Sequence, residues 1–331
     1  MHSTHSQKTR VALLYGGRSG EHEISLRSAE WVRTSLDRDR YEILDYFIDK
    51  NGRWDPAPIL PEPGTNGGID VVFPMLHGPF GEDGTVQGLL ELAALPYVGA
   101  GVLASALSMD KTFTKRICRE AGLPIAEFVI LYPGRSETEC VELPFSYPVF
   151  VKPANLGSSV GITKVSHCRD LPAALREAAQ YDRKVVIERG ISGREFECAV
   201  LGGEEALPMT PCEIIPSQEF YTYDDKYILD EARTELPAKL DPEQIEEIRN
   251  LAKRCFEAVG CEGMARVDFL MESATGRIFI NEINTIPGCT SISMFPKMCE
   301  HSGISNAALV DRLIDLALER AKAHARLRHT K

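Results

Sequence analysis

The chain has 331 residues, 44% of them apolar, a net charge of -11 and an isoelectric point near 5.3. That length suits about two ordinary globular domains, and the acidic balance with no basic stripe excludes a nucleic-acid partner that would be held through phosphates. No apolar run is long enough to cross a bilayer and residues 1–10 lack the apolar core of a signal peptide, so a cytoplasmic protein is expected, with no membrane partner.

Residues 10–14 read as a short apolar strand, followed by Gly16-Gly17-Arg18-Ser19-Gly20 and a helical pattern over 23–36. Strand, glycine turn and helix start can bind an anion, or the glycines can simply make the turn, because their spacing is not a dinucleotide fingerprint. Strands are predicted at 41–48 and 69–73, which makes an open α/β unit the simplest account. The second of them runs into the loop His77-Gly-Pro-Phe-Gly-Glu-Asp-Gly84, where open α/β sheets place their ligands. His77 there is either a functional group or a turn histidine bonded to backbone. Residues 104–121 read as one helix ended by Gly122 and Pro124, with Lys111 inside it.

Beyond Pro124 the pattern turns to strands and hairpins, and a domain boundary is placed near residue 112. The strand at 147–153 carries Lys152 and leads into Asn155-Leu-Gly-Ser-Ser-Val-Gly161 before another strand at 162–165. Such a loop can cradle phosphate with the lysine as point charge, or be a plain hairpin. A helix at 170–180 precedes strands at 185–188 and 195–201, with Glu188 and Glu195 flanking the link between them. Residues 218–233 are polar and aromatic and long for a connection, as lids are. Asp241-Pro-Glu-Gln244 opens a helix with a cap, a first-turn proline and a capping-box glutamine, and Gly260 ends it.

A strand at 266–271 is expected to pair with 278–283 across a turn at 273–276, bringing Asp268 beside Glu282 and Asn284. Three hard oxygen donors on neighbouring strands suit Mg²⁺, which keeps waters and takes further ligands from phosphates. After them, Pro287-Gly288 breaks the strand and frees backbone N–H groups beside the oxygens. The basic stretch at 320–331 reads as the solvated end of a helix, where cations suit the macrodipole. The nine cysteines are scattered without Cys-x-x-Cys spacing, as reduced and mostly buried thiols, and Cys289 near the presumed site reads as packing.

Four stretches together resemble the D-alanine:D-alanine ligases of the ATP-grasp superfamily: GGRSGEHEIS from Gly16, HGPFGEDGTVQG from His77, VKPANLGSSVG from Val151, and the pair RVD and NEINTIPGCTSISMFP. The likeness spans essentially the whole chain. It implies an N-terminal open α/β, Rossmann-like pre-ATP-grasp domain (1–112), followed by a two-part ATP-grasp fold with a central part (113–190) and a C-terminal part (191–331). The implied reaction activates one D-alanine as an acyl phosphate with ATP and Mg²⁺, or Mn²⁺, usually as two divalent ions, and lets a second D-alanine displace phosphate. It would supply peptidoglycan precursors.

The resemblance also implies roles. Lys111, Lys152 and Lys226 contact ATP phosphates under the loop of Ser158 and Ser159; Glu188, Arg189 and Ile191 make the adenine hinge; Glu195 takes the ribose. Asp268, Glu282 and Asn284 bind the metal. Glu21 takes the first ammonium, with His77 in the same subsite, while Arg266 and the Gly288 N–H face the oxyanion. Ser293 and Met294 hold the second carboxylate, and Tyr227 closes the lid towards Ser158 and Glu21. The Lys226-Tyr227 lid and the Ser293-Met294 turn resemble dipeptide-forming members, so D-alanine is expected as second substrate; a homodimer is expected by analogy. Another ATP-grasp carboxylate-amine ligase is the nearest alternative. A nucleotide-binding regulator need not keep Glu21, Arg266 and Tyr227, and a hydride-transfer enzyme lacks its glycine spacing.

Overall fold

The computed structural model describes residues 8–133, 141–203, 205–215 and 233–328. Among these residues there are three sheets, and their order along the chain explains the change of pattern near Pro124.

The first sheet has the order β3-β2-β1-β4, from Thr9–Gly16 (β1), Tyr41–Ile48 (β2), Trp54–Asp55 (β3) and Val71–Met75 (β4). Strand β1 runs parallel to both β2 and β4, and β3 is an antiparallel edge. Its apolar run is buried on both faces, as parallel strands are. Val11 and Leu13 pack towards helix α1 (His22–Ser35), while Ala12 and Leu14 pack towards Val86, Leu90 and Tyr97 on the other face.

Helix α2 (Thr85–Leu92) follows the His77 loop, and the expected helix over 104–121 is in fact two, α3 (Val102–Met109) and α4 (Lys111–Glu120). Asp110 makes the break. Its backbone is extended, and its carboxylate accepts from the Thr112 and Phe113 N–H groups at 3.0 and 3.2 Å. An aspartate that satisfies first-turn donors starts a new helix. Lys111 therefore stands buried in the first turn of α4 and not in mid-helix, where one continuous helix would place it.

The second sheet is wholly antiparallel in the order β5-β8-β6-β7, from Phe128–Leu131 (β5), Val149–Pro153 (β6), Thr163–Val165 (β7) and Val185–Arg189 (β8). Helix α5 (Leu171–Ala178) covers one face through Leu171, Ala174 and Leu175. The other face is left for the third sheet to oppose across a cleft.

That third sheet joins Gly193–Gly202 (β9), Ala206–Pro208 (β10), Cys212–Ile215 (β11), Arg233–Glu235 (β12), Gly263–Glu272 (β13) and Ile278–Asn284 (β14). Its path is β12-β11-β9-β13-β14, with β10 paired to β9. Helix α6 (Pro242–Ala258) backs it through Ile248, Ala252, Cys255 and Phe256, which meet Phe196, Val267 and Ile280. The Asp241 N–H donates to Gln244 Oε1 at 3.2 Å, the capping-box bond its sequence predicts.

Helices α7 (Met294–His301) and α8 (Asn306–His324) bring the chain back to the first sheet, with Leu309, Val310 and Leu313 sharing a core with Val11, Phe73 and Ala29. Arg320 near the end of α8 differs from expectation. It donates to the Tyr97 and Gly99 carbonyls at 2.8 and 2.6 Å and stacks on the Tyr97 ring, so it buckles α8 to the first sheet and is not solvated. All the described cysteines are free, and all but Cys168 are buried. No helix among the described residues is long and apolar enough to cross a membrane.

Candidate active site

Between the second and third sheets lies a cleft of about 250 Å³, lined among others by Lys111, Lys152, Ser159, Glu195, Asp268 and Glu282. Strand alternation explains the convergence: Lys152 on β6 faces away from α5, and Asp268 and Glu282 on β13 and β14 face the same opening. The backbone from Glu188 through Ile191, where the chain crosses from β8 to β9, closes one end.

The charges in this cleft are paired. Glu188 is buried and receives Lys152 Nζ at 3.0 Å and Lys115 Nζ at 3.4 Å. Burial pushes the Glu188 carboxyl up, but Lys115 and Lys152 pull harder, and its pKa lies below the ordinary carboxylate value. Burial likewise opposes charge on Lys152, yet Glu188 and Glu282 raise its pKa. Lys111 donates to the Leu156 carbonyl and stands 3.8 Å from Glu282 Oε2. Arg189 lines the cleft while its guanidinium is held by Glu272 at 2.8 Å.

Lys115 is the group that sequence reasoning missed. It follows Lys111 by one helical turn, and that i to i+4 spacing on a capped helix was the available signal.

Asp268 and Glu282 are direct partners across β13 and β14, as the expected pairing of these strands requires, and Arg266 sits opposite Asn284. Arg266 grips Asp268 through two bonds of 2.7 Å and lies 3.3 Å from Glu197. The Asn284 carboxamide oxygen accepts the Ile286 N–H at 3.1 Å. No group of three or more His, Cys, Asp or Glu arranged for a metal occurs among the described residues. Two carboxylates and one carboxamide are hard oxygen donors, the kind that Mg²⁺ takes beside water and ligand oxygens.

A smaller recess opens beyond this cleft, lined by Glu21, Glu82, Ser158, Arg266 and Asn284, and it shares Lys111, Leu156, Gly157 and Glu282 with the larger one. Ser158 donates to Glu21, which ties the glycine-serine loop to the start of α1. Ser158 and Ser159 both hold left-handed backbone, with φ of 54° and 60°, a conformation non-glycine residues adopt mainly where the surroundings impose it. Gly78 is left-handed too, at φ 75°, where a side chain would be strained, and a Cβ there would meet Glu21 Oε2 at 2.6 Å and push that carboxylate aside.

The matches to known proteins run the length of this architecture. The family model described as D-ala D-ala ligase C-terminus matches residues 117–315, and its N-terminus counterpart matches 10–63 and 56–100. The chain is 61% identical to a D-alanine--D-alanine ligase of Solibacter usitatus over 95% of this chain and 96% of that protein. The chain belongs to the D-alanine–D-alanine ligase family. A Thermoanaerobacter relative of the same name is 50% identical over 95% of this chain and 97% of its own length. Among solved structures, the D-alanine-D-alanine ligase of Coxiella burnetii superposes with a TM-score of 0.86 at 37% identity, covering 97% of each chain. The D-Ala:D-Ser ligase VanG of Enterococcus faecalis also gives 0.86, at 35% identity over 94% of this chain and 100% of that one. The fold of this family is the ATP-grasp fold, with the cleft between its two antiparallel sheets.

Within the family frame, the structure brings together Glu21, Lys111, Lys152, Ser158, Ser159, Glu188, Arg189, Ile191, Glu195, Arg266, Asp268, Glu282 and Asn284 around the two connected recesses. His77 stands apart. It is 4% exposed, with Nδ1 3.0 Å from the Ile286 carbonyl and Nε2 2.8 Å from Ser28 Oγ, so both nitrogens have protein partners, and it lines a separate cavity with Gly17, Arg18 and Phe80. Burial pulls its pKa down, but Glu82 at 3.6 Å outweighs that and the net shift is upward. Gly288 lies in the turn after β14. Ser293 precedes α7, its Oγ accepting the Thr290 N–H at 3.1 Å, and Met294 opens that helix. Lys226 and Tyr227 fall outside the described residues.

Proposed function

We propose that the protein catalyses ADP-forming ligation of two D-alanine molecules to D-alanyl-D-alanine, a precursor for peptidoglycan, in the cytoplasm and as a homodimer. The observation that carries this reading is the sharing of Lys111, Leu156, Gly157 and Glu282 by the cleft between the antiparallel sheets, with its paired lysines and carboxylates, and a small recess that adds Glu21, Glu82 and the Arg266 guanidinium. A carboxylate bound in the recess then meets the γ-phosphate where the two join. The three sheets support a division into residues 1–112, 113–190 and 191–331.

In this reading ATP lies between the antiparallel sheets, its base along 188–191, its ribose at Glu195 and its phosphates near Lys111, Lys152, Ser159 and Lys226. Asp268, Glu282 and Asn284 hold Mg²⁺, which when bound neutralises phosphate charge. Glu21 takes the ammonium of the first D-alanine. The second amine attacks the acyl carbon, its lone pair forms the C–N bond, the C–O bond to phosphate breaks, and the amine proton leaves through the Tyr227, Ser158 and Glu21 groups. Arg266 and the Gly288 N–H donate to the oxyanion in between. Ser293 and the Met294 N–H receive the second carboxylate at the α7 start, where free N–H groups favour an anion.

A product assay decides. With D-alanine, ATP and Mg²⁺ together, D-alanyl-D-alanine, ADP and phosphate should form in equal amounts, and D-alanine should outcompete D-serine and D-lactate as acceptor. Phosphate release independent of amino acid would sink the reading, and a preference for D-serine would move the chain towards the chemistry in the VanG name.

A further inference from the structure

Helix α1 carries Ser25 and Ser28 one turn apart, both wholly buried. Serines inside helices commonly turn their hydroxyls back on their own backbone. These two reach other elements instead. Ser25 Oγ accepts the Gly16 N–H at 2.7 Å and donates to the Met75 carbonyl, joining the ends of β1 and β4. Ser28 Oγ accepts the Cys289 N–H at 3.2 Å and meets His77 Nε2 at 2.8 Å, and His77 Nδ1 reaches the Ile286 carbonyl at 3.0 Å.

The proton positions follow from the partners. The Ile286 carbonyl and the Glu82 carboxylate only accept, so Nδ1 carries a hydrogen; Nε2 pairs with the Ser28 hydroxyl, as acceptor in the neutral ring and as donor in the charged one, and in both the Ser28 oxygen accepts the Cys289 N–H. Both ring nitrogens, the Ser28 oxygen and the Cys289 N–H thus each have a partner. The relay grips the turn Ile286-Pro287-Gly288-Cys289 at both ends, from residues 209 and 261 positions earlier in the chain. Between the grip points lies Gly288, and Pro287 has no N–H to share the work.

We infer that Ser28 is a positioning residue for ligation: through His77 and the Cys289 amide it sets the direction in which the Gly288 N–H points at the tetrahedral intermediate. The inference rests on the ligase reading. Removing the hydroxyl leaves a buried Cys289 N–H without its acceptor and His77 Nε2 without its partner, and the turn relaxes to satisfy them. Donors to an oxyanion act only at the position the charge will occupy, so a small re-seating of the turn costs turnover and leaves ground-state binding intact.

The test uses the full-length protein and Ser28→Ala, with steady-state kinetics and with binding of a tetrahedral phosphinate analogue of the dipeptide. Expected are a kcat lower by roughly 10- to 100-fold, a matching loss of phosphinate affinity, and a KM for ATP changed less than about twofold. Unchanged kcat, or a kcat loss with undiminished phosphinate affinity, overturns the inference. Should Ser28→Ala fail to fold, amide exchange in the wild type decides: a strongly protected Cys289 N–H supports the relay, and exchange at the rate of an exposed amide overturns it. A wild type that makes no D-alanyl-D-alanine overturns the functional reading and this inference together, whereas an active wild type with an unimpaired Ser28→Ala overturns the inference alone.

Discussion

The nucleotide cleft and the turn after β14 lie side by side and are built on opposite electrostatic plans. In the cleft, long side chains carry full charges held against one another, with Lys115 and Lys152 on Glu188 and Lys111 near Glu282. At the turn the groups are short and, apart from the buried pair His77 and Glu82, uncharged: Ser28, a glycine and main-chain N–H donors. A polyanion that arrives and leaves needs cations that exchange partners, and their counter-ions keep them from being buried alone in the interval. A charge that exists only during the reaction needs donors that do not move. Arg266 belongs to both plans, since it is fully charged, pinned by Asp268, and aimed at the recess.

The largest effect should therefore come from Arg266. Arg266→Met is expected to lower kcat by about 10³-fold or more, because it removes the proposed oxyanion donor and leaves Asp268 and Glu197 facing each other without their common cation. Single-turnover formation of the dipeptide measures it. A loss confined to the KM for ATP would assign Arg266 to the cleft alone and break the comparison.

Next in size is the proposed metal pair, Asp268 and Glu282. Asp268→Asn should raise the Mg²⁺ concentration for half-maximal activity by roughly tenfold or more, since a carboxylate opposite Glu282 becomes a weaker neutral ligand. Direct Mn²⁺ binding in the presence of ADP, followed by electron paramagnetic resonance, checks this without turnover. Equal Mn²⁺ affinity in the two proteins would refute the assignment.

The third prediction concerns stability. Glu188 has its pKa below the ordinary carboxylate value of 4.5, so it contributes stability that is fully present above that value and lost as pH falls through the lower folded-state value. Lys115→Met removes one of the two cations responsible. It should cost about 3 kcal/mol by denaturant unfolding at neutral pH and move the acid loss to higher pH. An unaltered acid limb would mean that Lys152 alone holds the carboxylate.

How far such sites can be read from sequence follows the same division. The cleft was legible because its parts lie on strands with regular alternation: Lys152 on β6, and Asp268 facing Glu282 once β13 and β14 were paired across a four-residue turn. The first sheet was equally open to reading, from an all-apolar strand followed by glycines. The turn was legible only in part. Gly288 announces itself by following a proline, but its supports come from α1 and the His77 loop, and no local pattern in Ser28 points to an amide 261 residues away. The split at Asp110 escaped for a related reason: one side chain accepting two N–H groups overrides a continuous helical periodicity. Lys115 escaped because a lysine in a polar helix face reads as solvated until Glu188 is seen beneath it.

The smallest expected effect separates two serines on either side of this turn. Ser293 is half-buried, shares its Oγ with the Thr290 N–H and hydroxyl at 3.1 and 2.7 Å, and makes no side-chain cap to α7. Ser293→Ala leaves the helix start and its N–H groups in place, so only one hydrogen bond to an incoming carboxylate is lost, worth roughly 0.5–1.5 kcal/mol or about 2- to 10-fold. That loss belongs in the KM of the acceptor D-alanine, with kcat and the KM for ATP unchanged. Ser28→Ala should do the reverse, because Ser28 touches no ligand and acts only on the turn. If both variants instead lowered kcat alike, the turn and the start of α7 would move as one body, and binding of the second amino acid could not be separated from placement of the oxyanion donor.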